Sequence, residues 1–172
     1  MVVVAACSSG GDEKAAPTTT APTTAAASQT STETAPEPIT AEEERWVPRL
    51  SKLKKKLEKV AFRGGVITRA RLLSEAKVYR MCRKRLGTLP SERFRPAYRA
   101  AVKACRQFGN AATQSAKAAG LLGIGGGVEA GTPQERAFER ALDRTIEAAG
   151  NGVNTMLRAV EKAQEIRATL PT

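Results

Sequence analysis

The chain has 172 residues, a length usual for one domain, and its 4% of aromatic and 26% of charged residues favour helices over sheets. It contains no histidine, which removes the commonest general base and the commonest metal ligand and lowers the expectation of an enzyme. Its net charge of +11 is concentrated in residues 41–108, which hold 20 Lys or Arg and 6 Asp or Glu, and this concentration predicts one basic face.

Residues 8–40 form a segment rich in Ser, Thr, Pro and Ala, and Ile39 is its only large apolar side chain. A segment of this composition cannot bury enough apolar surface to offset the entropy lost on ordering, so we predict a disordered tail. As a flexible coil, this segment would span roughly 30–35 Å, which is the reach of a tether.

The stretch Val4-Ala5-Ala6-Cys7 resembles the lipobox of bacterial lipoproteins, in which small or apolar residues precede an invariant cysteine. The small polar residues and the low-complexity linker after Cys7 also match the layout of that family. The resemblance covers residues 1–40. It implies that residues 1–6 are the remainder of a signal, that Cys7 carries lipid such as palmitate, and that the protein is anchored to the membrane outside the cytoplasm.

The signal segment departs from the family pattern, because only residues 1–6 precede Cys7 and none of them is Lys or Arg. A signal needs a basic start and roughly 7–15 apolar residues. We therefore expect the missing part to be encoded upstream of Met1. The alternative is a cytosolic protein with a disordered N-terminus and an incidental cysteine.

The first predicted helix covers residues 41–62. Thr40 and Glu43 form a capping box at its start, although Pro48 could move the regular start to about Val47. Apolar residues at spacings of 4, 3, 4 and 3 predict one buried face, and Gly64 and Gly65 follow the end of the helix. This face consists of Trp46, Leu50, Leu53, Leu57 and Val60.

Two further helices are predicted over residues 66–86 and 91–119, with Gly87 and two prolines marking the connection between them. The apolar stripe of the first of these comprises Leu72, Leu73, Ala76, Tyr79, Cys82 and Leu86. The apolar stripe of the second comprises Phe94, Tyr98, Ala101, Cys105, Phe108 and Ala112.

Cys82 and Cys105 are equidistant from the middle of this connection and therefore face each other if the two helices form an antiparallel hairpin. With lipid on Cys7 they are also the remaining pair, and outside the cytoplasm such a pair forms a disulfide. The alternative is two reduced, buried cysteines. A metal site is not predicted, because two thiols 23 residues apart lack further ligands.

The last predicted helix follows a glycine-rich stretch, residues 121–132, which lacks the preceding strand and the Lys-Ser/Thr ending of a phosphate-binding loop and is predicted to be a flexible connection. Thr132 and Pro133 mark the start of the helix and Pro171 follows its end, while Gly150-Asn151-Gly152 could kink or split it. Its predicted buried residues are Phe138, Leu142, Ile146, Ala149, Val153, Met156 and Val160.

These elements predict an all-α fold in which residues 41–172 form an antiparallel bundle of about four helices. Residues 7–40 precede it as a lipid-anchored, disordered linker. No catalytic residue, cofactor or resident metal is predicted, because no nucleophile and base can be paired in a recognisable pattern.

The cations of the basic block give the candidate binding site. Lysines on a helix surface are often only solubilising, and the alternative is a surface that binds an anionic envelope component: lipid headgroups, a phosphate-rich wall polymer or an acidic protein. The candidate binding residues are Lys54, Lys55, Lys56, Arg83, Lys84 and Arg85.

Nucleic acid is a rival partner, because Lys/Arg-rich helices bind phosphates. However, the chain lacks a helix-turn-helix, a zinc-finger or an aromatic-platform pattern. The sequence therefore favours a non-catalytic binding protein of the cell envelope, and the alternative is a cytosolic, nucleic-acid-associated helical protein.

Overall fold

The computed structural model describes residues 37–123 and 125–171, and all regular structure within these residues is helical. The all-α class is therefore confirmed, with five α-helices in the described residues and a short 3-10 turn before the fourth. The predicted lipidation site, Cys7, and most of the predicted disordered linker lie outside the described residues. The helices are α1 (Ala41–Ala61), α2 (Arg69–Arg80), α3 (Cys82–Leu86), α4 (Arg95–Leu121) and α5 (Pro133–Ala168), and the 3-10 turn is Glu92–Phe94.

Helix α1 begins with the predicted capping box. The Thr40 hydroxyl accepts a hydrogen bond from the Glu43 N–H at 3.3 Å, and the Glu43 carboxylate accepts one from the Thr40 N–H at 2.7 Å. Pro48 lies inside the helix, so the later start at about Val47 is wrong. The cap and the burial of Trp46 and Val47 keep the first two turns helical despite the backbone bond that proline removes.

The single helix predicted over residues 66–86 is wrong in two respects. The observed helix begins later, at Arg69, where the Thr68 hydroxyl accepts a hydrogen bond from the Arg71 N–H at 3.2 Å. It is also divided at Met81 into α2 and α3. The Met81 N–H bonds to the carbonyl of Val78, three residues back, and this tighter turn interrupts the regular helix.

The buried positions follow most of the predicted stripes, with two exceptions. Leu73 is exposed because its neighbour Leu72 occupies the inward position on α2. Ile146 of α5 is also exposed and lies at the rim of a cleft together with Phe62. Tyr98, Val60, Phe138 and Leu142 are half-buried, and the remaining stripe residues are buried.

The core between α4 and α5 is built from small residues around a few rings. Most alanines of α4 and α5 are fully or nearly fully buried, which lets the two helices approach closely. Gly152 faces Phe108, whose ring stacks on Tyr79 with 5.4 Å between ring centroids. Helix α5 continues through Gly150 and Gly152, so the two glycines do not split it. Gly152 instead makes room for the Phe108 ring, because a Cβ atom at this position would lie 3.0 Å from two of the ring atoms.

Glu43 forms a buried ion pair that joins the start of α1 to the 3-10 turn. Its carboxylate accepts hydrogen bonds from Arg93 Nε at 2.6 Å, from Arg93 Nη2 at 2.9 Å and from the Ser91 hydroxyl. Burial alone would raise the pKa of Glu43, but the hydrogen bonds from Arg93, Ser91 and Thr40 outweigh it and lower the pKa to about 2. Arg93 also donates to the carbonyls of Glu37 and Pro38, and so holds the segment before α1.

We predict that E43Q lowers the free energy of unfolding at pH 7 by on the order of 3 kcal/mol, because it leaves Arg93 without its buried counter-charge. Urea unfolding followed by circular dichroism measures this difference. E44Q is the control. Glu44 is 60% exposed and lies 3.4 Å from Arg167, so its removal should change stability by less than about 1 kcal/mol.

The effect of E43Q should also depend on pH. Because the pKa of Glu43 is lower in the folded state than in the unfolded state, its stabilisation is complete above the unfolded value and is lost as the pH falls towards 2. The stability difference between wild type and E43Q should therefore shrink between about pH 5 and about pH 2. A difference that stays constant over this range would contradict the role assigned to the carboxylate.

Two glycines of α5 provide a matched pair for testing the core. G152A should destabilise the protein by about 1–3 kcal/mol, because Phe108 is fully buried and cannot yield to the new methyl group. G150A should stabilise it by up to about 1 kcal/mol through helix propensity, because nothing lies within 4 Å of a Cβ atom there. Thermal unfolding should give a melting temperature below that of the wild type for G152A and above it for G150A. Equal shifts of the melting temperature in the two variants would contradict the packing of Phe108 on Gly152.

Candidate functional site

Cations form a stripe along α1 beside its buried face. They recur at spacings of 4, 3, 4 and 3, and each stands one residue before a member of the apolar stripe. Because one residue advances a helix by a little under a third of a turn, the cations run alongside the core-facing residues. The stripe consists of Arg45, Arg49, Lys52, Lys56 and Lys59, all of which are exposed.

Part of this stripe meets α3 in a cleft of about 240 Å³, which we call the basic cleft. Arg49, Lys52 and Lys56 of α1 and Arg85 of α3 line it around the buried side chain of Leu53. Among residues 37–123 and 125–171, no acidic side chain lies within ion-pair distance of these four cations. The basic cleft thus combines four positive charges with an apolar floor.

The position of α3 depends on the bond between Cys82 and Cys105. Their sulfur atoms are 2.04 Å apart, so the predicted disulfide pair is confirmed. Cys82 and Leu86 are both buried, and they lie one turn apart on the same side of this five-residue helix. The three basic residues between them are consequently exposed, and Arg85 reaches the cleft.

The six predicted binding residues occupy different places. Lys56 and Arg85 lie in the basic cleft, whereas Lys54 forms an ion pair with Glu58 at 2.9 Å. The Arg83 guanidinium lies over the ring of Tyr98, 5.3 Å from its centroid. Lys55 and Lys84 are exposed outside the cleft lining.

Two cleft residues, Arg49 and Lys52, were missed by the sequence analysis. The prediction selected the densest run of lysines, in which consecutive residues point in different directions around the helix. The informative signal was the spacing of three and four residues that puts Arg49, Lys52 and Lys56 on one side of α1.

The chemistry of the basic cleft is that of anion binding. Lysine ammonium and arginine guanidinium groups only donate hydrogen bonds, and their bonds to phosphate or carboxylate oxygens are strengthened by charge. The two arginines can each present two parallel donors to such a group. A compact anion resting on Leu53 would meet donors from both α1 and α3.

Within the described residues, no cluster of three or more Cys, Asp or Glu side chains could hold a metal ion. None of the described helices has the length and apolar character needed to cross a membrane.

No protein-family model, curated protein or solved structure matches this chain. Function is therefore inferred from the residues and their geometry.

Proposed function

We propose that this protein is a lipoprotein of the bacterial cell envelope whose helical domain binds an anionic envelope component or partner protein without catalysing a reaction. The observation that carries the proposal is the basic cleft, which Arg49, Lys52, Lys56 and Arg85 line with no acidic side chain of the described residues within ion-pair distance. Like charges brought together in this way repel one another, and a bound anion relieves the repulsion.

The strength of this binding follows from the number of cations. Each cation near an anionic surface contributes about 1 kcal/mol, and the contribution falls as salt screens the charges. Four cations in one cleft therefore give an affinity that is substantial at low ionic strength and strongly salt-dependent.

The anchor is proposed on Cys7, whose surroundings resemble a lipobox. Two or more acyl chains hold a protein stably on a membrane. Retention at the membrane then does not need the basic cleft, which is left to bind a separate anionic component.

We also propose that the helices form an antiparallel bundle, and several contacts support it. Gln134 at the start of α5 donates to the carbonyl of Leu121 at the end of α4, at 2.7 Å. At the other end of α5, Arg167 lies 3.4 Å from Glu44 in the first turn of α1. Next to this contact, the N–H of Ile39, just before α1, donates a hydrogen bond to the carbonyl of Pro171, just after α5.

We predict that replacing the four cleft cations with glutamine (R49Q/K52Q/K56Q/R85Q) weakens binding of a polyphosphate of defined length at least tenfold. The control variant K117Q/R140Q/R158Q/K162Q removes the same number of exposed cations from α4 and α5 and should change the affinity less than about threefold. Isothermal titration calorimetry at about 20 mM and about 500 mM salt measures both the affinities and the loss of binding with salt.

Equal weakening in the two variants would show that only net charge matters and would overturn the assignment to the cleft. A single-stranded oligonucleotide of the same charge serves as a second probe. Binding of the oligonucleotide at least tenfold tighter than polyphosphate would favour a nucleic-acid partner and contradict the proposed function.

The anchor predicts a specific mass for the native protein. Protein extracted from the membranes of its source should begin at Cys7 and carry acyl groups there, and C7S should be recovered in the soluble fraction. Intact-mass spectrometry and detergent phase partitioning check this. A native chain with an unmodified Cys7 thiol would refute the anchor and leave the anion-binding prediction to be judged by its own experiment.

A further inference from the structure

The most exposed large apolar side chains of the described residues lie in the connection between α1 and α2, which we call the 62–68 loop. Phe62 is 67% exposed and Val66 is 82% exposed. The other exposed large apolar residues, Leu73, Ile146 and Leu157, each lie within a helix and are exposed to a smaller extent. Two apolar side chains are therefore presented to the surroundings by one short loop.

Arg71 holds the backbone of this loop from the inside. Its guanidinium donates hydrogen bonds to four consecutive carbonyl oxygens, those of residues 63–66, among them Gly65 at 2.7 Å and Val66 at 3.1 Å. Arg71 Nε also donates to the carboxylate of Glu75 at 2.8 Å, which balances the charge. The loop thus has a fixed shape in which these carbonyl groups are already bonded within the protein.

The hydrogen bonding of the carbonyl groups affects the cost of moving the loop from water into an apolar medium. In water an exposed carbonyl needs no protein partner, because water supplies the hydrogen bond. In an apolar medium an unbonded carbonyl is costly, so a loop enters it at a lower cost when its carbonyl groups are bonded internally. The contacts of Arg71 do this for the carbonyl groups of residues 63–66, next to the two exposed apolar side chains.

The exposed charged residues that lie on the 62–68 loop or next to it in the sequence are all positive. Lys59, Arg63 and Arg69 are exposed on and beside it, and no acidic residue occurs between Glu58 and Glu75. Lys59 is also the last member of the cation stripe of α1. Exposed apolar side chains flanked by cations are complementary to a bilayer that has an apolar interior and negative headgroups.

We infer that the 62–68 loop docks the helical domain onto an anionic phospholipid bilayer. Phe62 and Val66 enter the boundary between headgroups and acyl chains, while Lys59, Arg63 and Arg69 contact lipid phosphates. This surface is distinct from the basic cleft, since none of its residues lines the cleft. It also differs from the proposed lipid anchor in its effect. The anchor would only tether the chain to the membrane, whereas the loop would hold the helical domain against the bilayer surface.

The test uses the full chain with C7S, so that no acyl group contributes to binding. Co-sedimentation with phosphatidylcholine vesicles, with and without about 30% phosphatidylglycerol, measures the partition coefficient. We expect binding to the anionic vesicles and at least tenfold weaker binding to the neutral ones. F62S/V66S should lower the partition into anionic vesicles at least tenfold, and R63Q/R69Q should weaken it and reduce its salt dependence.

L73S/L157S is the matched control, because it removes two exposed apolar side chains from helices instead of the loop. It should change the partition less than about twofold. An equal loss in this control, or equal binding of wild type to neutral and anionic vesicles, would overturn the inference. Hydrogen exchange of the C7S chain gives a measurement that does not depend on the folding of the loop variants: vesicles should protect residues 62–68, and no protection there would also overturn it.

Two further outcomes separate this inference from the proposed function. If F62S/V66S binds vesicles normally while R49Q/K52Q/K56Q/R85Q does not, the basic cleft recognises the headgroups and the loop inference fails alone. If the chain without vesicles is oligomeric and F62S/V66S makes it monomeric in sedimentation velocity, the loop is a contact between copies and the membrane inference is wrong. In either case, polyphosphate binding tests the proposed function separately.

Discussion

The bond between Cys82 and Cys105 fixes the short helix on which the basic cleft depends. A helix of five residues is too short to persist by itself, and α3 carries three cations that favour solvent over the core. The disulfide ties the first residue of α3 to α4, and Leu86 buries its last residue. In the entropic account, closing a loop of this length contributes about 3 kcal/mol. Arg85 is thereby placed beside the cations of α1 instead of on a mobile connection.

The same rigidity extends through a core made mainly of alanine. Small side chains on α4 and α5 bring the helix backbones close, and the few large rings fill defined positions. Phe108 illustrates this, since it contacts Gly152 on one side and stacks on Tyr79 of α2 on the other. Close packing of this kind leaves the helices little freedom to shift. The cations of α1 are therefore held by a rigid core, although the protein has few large apolar residues.

Two partly buried arginine–glutamate pairs shape the non-helical segments in the same way. Arg93 pairs with Glu43 and donates to backbone carbonyls of the segment before α1. Arg71 pairs with Glu75 and donates to the carbonyls of the 62–68 loop. Arginine suits this role because its planar group carries five donors, enough for one carboxylate and several carbonyl oxygens. Both segments acquire a fixed conformation without a strand or helix, and one of them presents Phe62 and Val66.

Four features could be predicted from the residues alone: the helical class, the start of α1 at its capping box, the start of α5 after Thr132 and the pairing of Cys82 with Cys105. These features depend on neighbouring residues or on a periodicity that one helix contains. The break at Met81, the exposure of Ile146 and the continuity of α5 through Gly152 depend instead on how the helices pack. The same packing sets which cations lie side by side. The basic cleft joins residues of α1 and α3 that are about thirty positions apart, and their approach is set by the packing of both helices, which no local pattern encodes.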